Sequence, residues 1–410
     1  MYSKFVSFVK TKPLKFLYIV LSILVLKEVI YIQTFRDAVS PIADGYSEAN
    51  AVRGAVFFHE VGFNKTSGLP VLCYSDLLKY EGLWSECISL EVYTHYPPGP
   101  EYINWFWMNV FGKGKFNETR YVHILLSFII GLFFLKTTFN FMGGGLKGLT
   151  LGLMLILPPM FSNYMHGLHY QQPAFLILQL QIIFSLLYSE KKKASYLLAF
   201  LIFGFIQGWL SFDYAFLATL FFIPFYILLE KEKLLKLRHL ISIGLASGLS
   251  FTAAHILHFL QVINYLGSFE AALRDFAGSA AHRATNAVSF ADKPNPKFTK
   301  DIGPLTVMKD YLYRVAGRGK YLSVNLMNFI WIILGLRFVK KLETKKFRFE
   351  FSVTTRDLMV LLSAVVISAL WSIVMRQHAH IHGFIARHYY FCYFFCCLIL
   401  VKRTSVLKKD

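Results

Sequence analysis

Glycine-rich nucleotide loops are missing from this sequence. Neither a Walker nor a Rossmann glycine pattern occurs, and the glycine run at 143 to 145 is predicted to be a turn. The chain also has no internal repeat, no low-complexity tract and no separable soluble domain. These absences exclude the common enzymes that hold a soluble nucleotide in a glycine loop, and they exclude proteins built from repeated modules.

Cysteine is scarce as well, with five residues, and their spacing does not match a metal-binding pattern. Cys392, Cys396 and Cys397 lie in the last apolar segment, where packing as small apolar side chains explains them. Cys73 and Cys87 both fall in the first large loop. They could form a disulfide if that loop faces an oxidising compartment.

Hydrophobic residues, by contrast, make up 55% of the 410, and the mean hydropathy is +0.47. Apolar runs of roughly 16 residues or more recur along the whole chain, which a water-soluble domain does not need. Backbone polar groups in hydrocarbon must be satisfied within their own segment, so runs of this length form helices rather than a barrel. We therefore predict an all-α fold, a single polytopic transmembrane domain over residues 1 to 410.

About ten membrane spans are predicted, at 16 to 32, 121 to 138, 146 to 161, 172 to 188, 195 to 210, 212 to 229, 240 to 264, 324 to 339, 357 to 375 and 386 to 401. The basic residues behind the net charge of +19 are spread between these spans, which argues against a nucleic-acid partner. If the spans alternate from a cytoplasmic start, the inner segments hold about 24 of the 43 lysines and arginines. Both termini are therefore predicted to be cytoplasmic, in a multi-pass protein of a bacterial inner membrane.

Most histidines fall in the predicted outer segments or at the outer ends of spans. The outer segments are 33 to 120, 162 to 171 with His166 and His169, the turn at 211 to 214 with Asp213, 265 to 323, and 376 to 386. Ionisable residues gathered at one membrane face indicate that an active site lies at that face. We predict that segments 33 to 120 and 265 to 323 cap an active site, and that the first contains interfacial helices such as 101 to 111.

Asp44 is the strongest of the catalytic candidates, because it follows the first span closely and precedes Glu48 by one helical turn. Two carboxylates at that spacing could share a divalent cation such as Mg²⁺ or Mn²⁺, or one could act as general base while the other orients it. Alternatively, Asp44 caps a helix that begins at Gly45. His95 stands before the paired prolines at 97 and 98, which stiffen the loop and hold the imidazole on a rigid arm.

Two further outer segments are rich in cations. Arg376 and Arg387, with His382 and His388 near them, could stabilise the charge of a departing phosphate. The alternating histidines at 378, 380 and 382 could instead bind zinc or copper, or form a merely polar loop. Segment 265 to 323 includes Arg314 and Arg318, which are predicted to fold over the cleft and contact an anionic lipid head.

The order of these motifs resembles the membrane glycosyltransferases of the GT-C fold, over about 350 residues in layout. The resemblance rests on a loop Asp after the first span, His-Tyr-Pro-Pro-Gly-Pro at 95 to 100, an aromatic interfacial helix ending in Val-Phe-Gly at 110 to 112, Asn-Glu-Thr-Arg-Tyr at 117 to 121, Leu-Pro-Pro-Met-Phe at 157 to 161, and His-Gly-Phe-Ile-Ala-Arg-His-Tyr-Tyr at 382 to 390. The most similar group includes protein O-mannosyltransferases, aminoarabinose transferases of lipid A and bacterial lipopolysaccharide-decorating relatives.

Members of this family move a sugar from a polyprenyl phosphate or diphosphate carrier to a glycan, lipid or protein acceptor on the outer side. The resemblance implies a hexosyl or pentosyl transferase in which Asp44 activates or orients the acceptor, His95 lines the same cleft and Arg387 faces the carrier phosphate. Asp213 is also predicted to contact substrate. It stands in a turn where relatives often have a lysine, and it cannot bind phosphate directly.

Two other classes of function compete with this interpretation. A secondary transporter or lipid flippase should carry paired charges at mid-membrane on broken helices, with repeat symmetry between its halves. Here the span centres are nearly free of charge and the polar residues lie at one face. A membrane assembly factor without chemistry would leave the outer histidines unexplained.

Overall fold

The protein is built mostly of helices, which confirms the coarse part of the predicted fold class. A computed structural model describes residues 2–34, 45–73, 90–112, 114–162, 165–169, 171–229, 237–284, 303, 305, 332–335, 337, 347–351, 354–375 and 389–408. Within these residues the helices are α1 Tyr2–Thr11, α2 Pro13–Ile32, α3 Gly45–Glu60, α4 Gly99–Phe111, α5 Phe116–Phe141, α6 Gly145–Ile156, α7 Pro159–Ser162, α8 Gln171–Lys191, α9 Ala194–Leu210, α10 Phe212–Leu229, α11 Leu237–Leu266, α12 Phe269–Ala284, α13 Thr355–Val374 and α14 Tyr389–Arg403.

Two small antiparallel sheets accompany the helices. Strands β1 Val71–Cys73 and β2 Glu91–Val92 form the first, and β3 Phe347–Phe351 pairs with β4 Thr404–Lys408 in the second. Cys73 at the end of β1 is disulfide-bonded. Cys87, the partner that the sequence favours, lies outside the described residues.

Among the described residues, α5, α8 and α11 are long and apolar enough to cross a membrane. The count of about ten spans is therefore not confirmed. One predicted span, 146 to 161, is interrupted: α6 ends at Ile156 and the short α7 begins at Pro159. Pro158 and Pro159 explain the break, because proline lacks the amide hydrogen that a continuing helix needs.

Many large apolar side chains lie on the outside of the bundle. Ile23, Ile30, Phe133 and Leu249 are each more than half exposed. Helix α9 instead packs closely on α11, with Gly204 against Ser250 and Gly208 against Ala254. Small residues of this kind let two helix backbones approach closely, as is common in membrane helix pairs.

The bundle has two ends of different character. At one end, the Lys192 ammonium donates to the Tyr226 hydroxyl at 2.6 Å, and Arg403 lies 2.7 Å from Asp357. Sheet β3–β4 belongs to this end, since β4 directly follows α14. All of these residues lie in or beside segments that the charge count assigns to the cytoplasm.

The opposite end gathers the last turns of α2 and α11, the helices α3, α4 and α12, the start of α5, and residues 165–169. These pieces come from the first, second and fourth predicted outer segments and from the span ends that adjoin them. The candidate site is at this end.

Candidate functional site

A fully buried ion pair joins α3 to α5. The Arg120 guanidinium donates from Nη1 to Oε1 of Glu48 at 2.7 Å, and both side chains have no exposed surface. The same carboxylate oxygen accepts the backbone N–H of Leu168 at 2.9 Å. Charge-assisted hydrogen bonds of this kind are stronger than neutral ones, so they fix the first turn of α3.

Residues 165–169 are held by side chains from four helices. Arg120 also donates to the carbonyl of His166 at 2.8 Å, Nδ1 of His123 donates to that of Gly167 at 2.8 Å, and Asn104 donates to that of Leu168 at 2.5 Å. The His166 side chain turns the other way and donates from Nδ1 to Oε2 of Glu28 on α2 at 2.9 Å. Three successive carbonyls and one amide of this short segment are therefore bonded to buried polar side chains.

Lys27 lies on the solvent side of this network, 3.1 Å from Glu28. Glu28 itself is buried, whereas Lys27 is largely exposed. Glu28 instead joins α2 to residues 165–169.

These contacts define the position of three predicted site residues. Glu48, His166 and His169 are all fully buried. Glu48 was a predicted metal ligand, but Arg120 already lies where a cation would need to approach its Oε1 atom. The geometry at Glu48 therefore fits a structural carboxylate better than a metal ligand, and no group of three or more metal-binding side chains occurs among the described residues.

His95 lies in a different environment, beside the middle of α12. Its Nε2 atom is 3.2 Å from Oδ1 of Asp275, and the two side chains are 34% and 27% exposed. His95 borders a cavity of about 70 Å³. Among the described residues the lining is mostly apolar and aromatic, and its members are His95, Tyr96, Phe212, Phe276, Ser279, Ala280 and Met375.

The segment that carries His95 is fixed on both sides. Nε2 of His258 on α11 donates to the carbonyl of Thr94 at 2.9 Å. After His95 the chain enters α4 at Gly99, where a Cβ atom would lie 3.0 Å from the backbone carbonyl carbon of Trp209. Only glycine allows this close approach of α4 to the end of α9. Contacts with α9 and α11 therefore hold this segment, in addition to the prolines that are predicted to stiffen it.

Glu101 follows in the first turn of α4 and is buried against Gly54 of α3. Its Oε2 atom is buried without a hydrogen-bond partner among the described residues. Burial raises the pKa of Glu101 to about 8, and a backbone hydrogen bond opposes this rise. The protonated, neutral form of the side chain therefore predominates at neutral pH.

The remaining predicted residues cannot be compared with this geometry. Asp213 lies in the first turn of α10, and its side chain is outside the described part of the structure. The other predicted site residues also lie outside the described residues, and these are Asp44, Arg314, Arg318, Arg376, His382, Arg387 and His388.

Sequence reasoning missed Asp275, Glu28 and Arg120 as members of this end of the bundle. Asp275 lies in the segment 265 to 323, which its many basic residues led us to treat as a lid. A signal was present, since Ala272, Phe276 and Ala280 recur at helical spacing around Asp275.

No family model, curated protein or solved structure matches the chain.

Proposed function

We propose that the protein is a multi-pass membrane glycosyltransferase of the GT-C type, acting at the extracytoplasmic face of a bacterial inner membrane. It moves a sugar from a polyprenyl-phosphate carrier to a glycan, lipid or protein acceptor. The observation that carries this proposal is the cavity bordered by His95, whose ring contacts Asp275, at the end of the bundle that includes predicted outer segments. An enzyme needs an ionisable group beside a space for its substrate, and His95 is such a group.

The disulfide at Cys73 supports the assignment of this end to the outer face. Disulfides persist in oxidising compartments such as the periplasm and are rare in the cytosol. Cys73 ends β1, and the amide of Tyr93 bonds to Pro70 at the start of this strand. The disulfide and the His95 segment therefore belong to one local unit.

The location of the buried charges favours an enzyme over a transporter. Glu28 lies in the last turns of α2, and Arg120 lies in the second turn of α5. A transporter of the kind considered above needs its charged site near mid-membrane, on broken helices. The Arg120–Glu48 ion pair and the buried contact of His166 with Glu28 instead lie at helix ends, where they hold residues 165–169.

In this proposal the phosphate of the carrier contacts the arginines predicted from sequence, Arg314, Arg318, Arg376 and Arg387. The acceptor enters from the aqueous side, where Asp44 helps to orient it. The aromatic lining of the cavity offers apolar surface to one face of a sugar ring, and Ser279 offers a hydroxyl. No step is assigned to a metal ion, because Glu48 is already neutralised by Arg120.

The test uses the purified full-length protein in lipid nanodiscs. Polyprenyl phosphates bearing different labelled sugars are offered together with an extract of cell-envelope acceptors from a deletion strain. We expect transfer of at least one sugar, loss of labelled donor, and release of polyprenyl phosphate, with no transfer from nucleotide sugars. Failure of every lipid-linked donor, together with uptake of a solute by proteoliposomes, would overturn the proposal in favour of a transporter.

A further inference from the structure

We propose that His95 is the general base of this reaction and that Asp275 is the residue that positions it. This inference rests on the proposed function and adds a residue pair to it. The two side chains come from different parts of the fold, His95 from the segment before α4 and Asp275 from the middle of α12. They lie 180 residues apart in the chain.

The geometry determines which ring nitrogen can accept a proton. Asp275 lies at Nε2, so a carboxylate there holds the proton on that nitrogen. In the neutral ring the lone pair is then on Nδ1. Tyr93 contacts the His95 ring edge to face, with 5.8 Å between the ring centres, and so restricts its rotation.

The exposure of the pair suits proton transfer. Both groups are partly exposed and His95 borders the cavity, whereas Glu48, His166 and His169 are fully buried and cannot touch a substrate without rearrangement. A general base must come within hydrogen-bond distance of the proton that it removes. Among the predicted catalytic residues whose side chains are described, His95 alone borders a cavity of this size.

The reaction step follows from this arrangement. Nδ1 of His95 removes the proton of an acceptor hydroxyl as the hydroxyl oxygen attacks the anomeric carbon of the donor sugar. The bond between that carbon and the phosphate oxygen breaks, and its electron pair leaves with the polyprenyl phosphate. The positive charge that develops on the imidazole is stabilised by Asp275 at 3.2 Å. The proton returns to solvent after the products depart.

Other titratable groups near His95 are few among the described residues. Asp275 comes from α12, His258 comes from α11 and contacts Thr94, and Tyr93 and Tyr96 belong to the same segment as His95. Phe212 from α10 and Met375 after α13 line the cavity and carry no charge. Among these groups, Asp275 lies within hydrogen-bond distance of the His95 ring.

The first experiment measures the ring directly and needs no activity. The full-length protein is labelled with ¹⁵N histidine in nanodiscs, and the His95 signals are assigned from their loss in His95→Gln. We expect a neutral His95 with its proton on Nε2, and we expect Asp275→Asn to shift the proton toward Nδ1. A wild-type ring with its proton on Nδ1, or tautomer populations that Asp275→Asn leaves unchanged, would overturn the positioning role.

The second experiment uses transfer from the lipid-linked donor across a pH series. His95→Gln should lower kcat about a hundredfold or more, the usual scale for loss of general base catalysis, and should abolish the fall in rate at acid pH. Asp275→Asn should lower kcat about tenfold or more with little change in KM. Glu270→Gln, on the exposed face of α12 and paired only with exposed Arg274, is the matched control and should retain normal activity.

The outcomes separate this inference from the proposed function. If the wild-type protein transfers no sugar, the proposed function fails, and the NMR result still decides the tautomer. If transfer occurs and Asp44→Asn removes the acid limb of the pH profile while His95→Gln retains it, the base is Asp44 and the present inference is wrong. Equal losses in kcat for Asp275→Asn and Glu270→Gln would also overturn it.

Discussion

Arg120 and Glu48 form a buried ion pair with 2.7 Å between Nη1 and Oε1, although 72 residues separate them in the chain. This pair ties the first turn of α3 to the second turn of α5. It also holds residues 165–169, because both partners bond to the backbone of that segment. Three segments that are distant in sequence therefore depend on one contact.

Arg120→Met should destabilise the protein strongly, because it leaves the Glu48 carboxylate buried and unpaired. Loss of one partner of a buried pair typically costs about 3–5 kcal/mol. Thermal unfolding of the detergent-solubilised protein, followed by size-exclusion chromatography with fluorescence detection, measures the change. The double variant Arg120→Met with Glu48→Gln should recover part of the loss.

The matched control for this change is Lys115→Ala. Lys115 pairs with Glu118 at 3.5 Å on the exposed side of the same helix end. Exposed pairs contribute little, so the thermal midpoint should hardly move. Similar losses of thermal stability for Arg120→Met and Lys115→Ala would show that the buried pair contributes no more to stability than the exposed pair.

Glu101→Gln should stabilise the protein more at alkaline than at acid pH. Burial raises the pKa of Glu101 to about 8, from the value of 4.5 expected in the unfolded chain. Between these values the folded state binds more protons than the unfolded state, so stability falls as the pH rises from about 4.5 through 8. Glutamine removes this titration.

Thermal midpoints at pH 5 and pH 8.5, for wild type and Glu101→Gln, measure the effect. We expect the difference between the two proteins to be larger at the higher pH. The corresponding change at an exposed carboxylate, Glu91→Gln on β2, serves as control. A gain of the same size at both pH values would contradict the buried titration at Glu101.

Gly204→Ala should weaken the packing of α9 on α11. A Cβ atom at this position would lie 2.9 Å from Cβ of Ser250, which is closer than side-chain carbons approach, so the two helices must move apart. Overpacking of this kind typically costs about 1–3 kcal/mol. Gly248→Ala on α11 meets no atom within 4 Å and should be neutral or slightly stabilising. Thermal unfolding of both variants, side by side, provides the comparison.

The orientation of the two bundle ends is testable with fusions. A reporter that is active only in the periplasm should give signal after residue 300 and none after residue 193, because the positive-inside rule places basic Lys191, Lys192 and Lys193 in the cytoplasm. A reporter with the opposite requirement, active in the cytoplasm, should give the reverse pattern at both sites. Signal from the periplasmic reporter at residue 193 would move the candidate site to the cytoplasmic face.

Helix positions were largely predictable from sequence. The predicted spans 195 to 210 and 212 to 229 differ by at most one residue from α9 Ala194–Leu210 and α10 Phe212–Leu229. Long apolar runs predict helices through local chemistry. Proline was a weaker guide, since the predicted span 146 to 161 missed the break at Pro158, whereas α10 continues through Pro224. The amphipathic helix predicted at 101 to 111 is likewise part of α4 Gly99–Phe111.

The contacts of the candidate site were less predictable, for a physical reason. Glu28 meets His166 across 138 residues, and His95 meets Asp275 across 180. No local pattern encodes such pairings, because they depend on how the helices pack. Glu48 was therefore predicted as a catalytic or metal-binding residue from its spacing to Asp44 alone, whereas its contacts are with Arg120 and Leu168.

Helix α11 is longer than a helix needs to be to cross a bilayer. Its 30 residues extend about 45 Å, whereas about 20 residues cross the hydrocarbon core of a bilayer. The last turns of α11 bond to Ser67 through Gln261 and Asn264, and to Thr94 through His258. A rigid helix thus holds the His95 segment at a fixed distance from the opposite end of α11. If the protein uses the polyprenyl-linked donor proposed above, lengthening or shortening its isoprenoid tail should change the rate little, whereas changing the number of atoms between its head group and its reacting carbon should change the rate greatly.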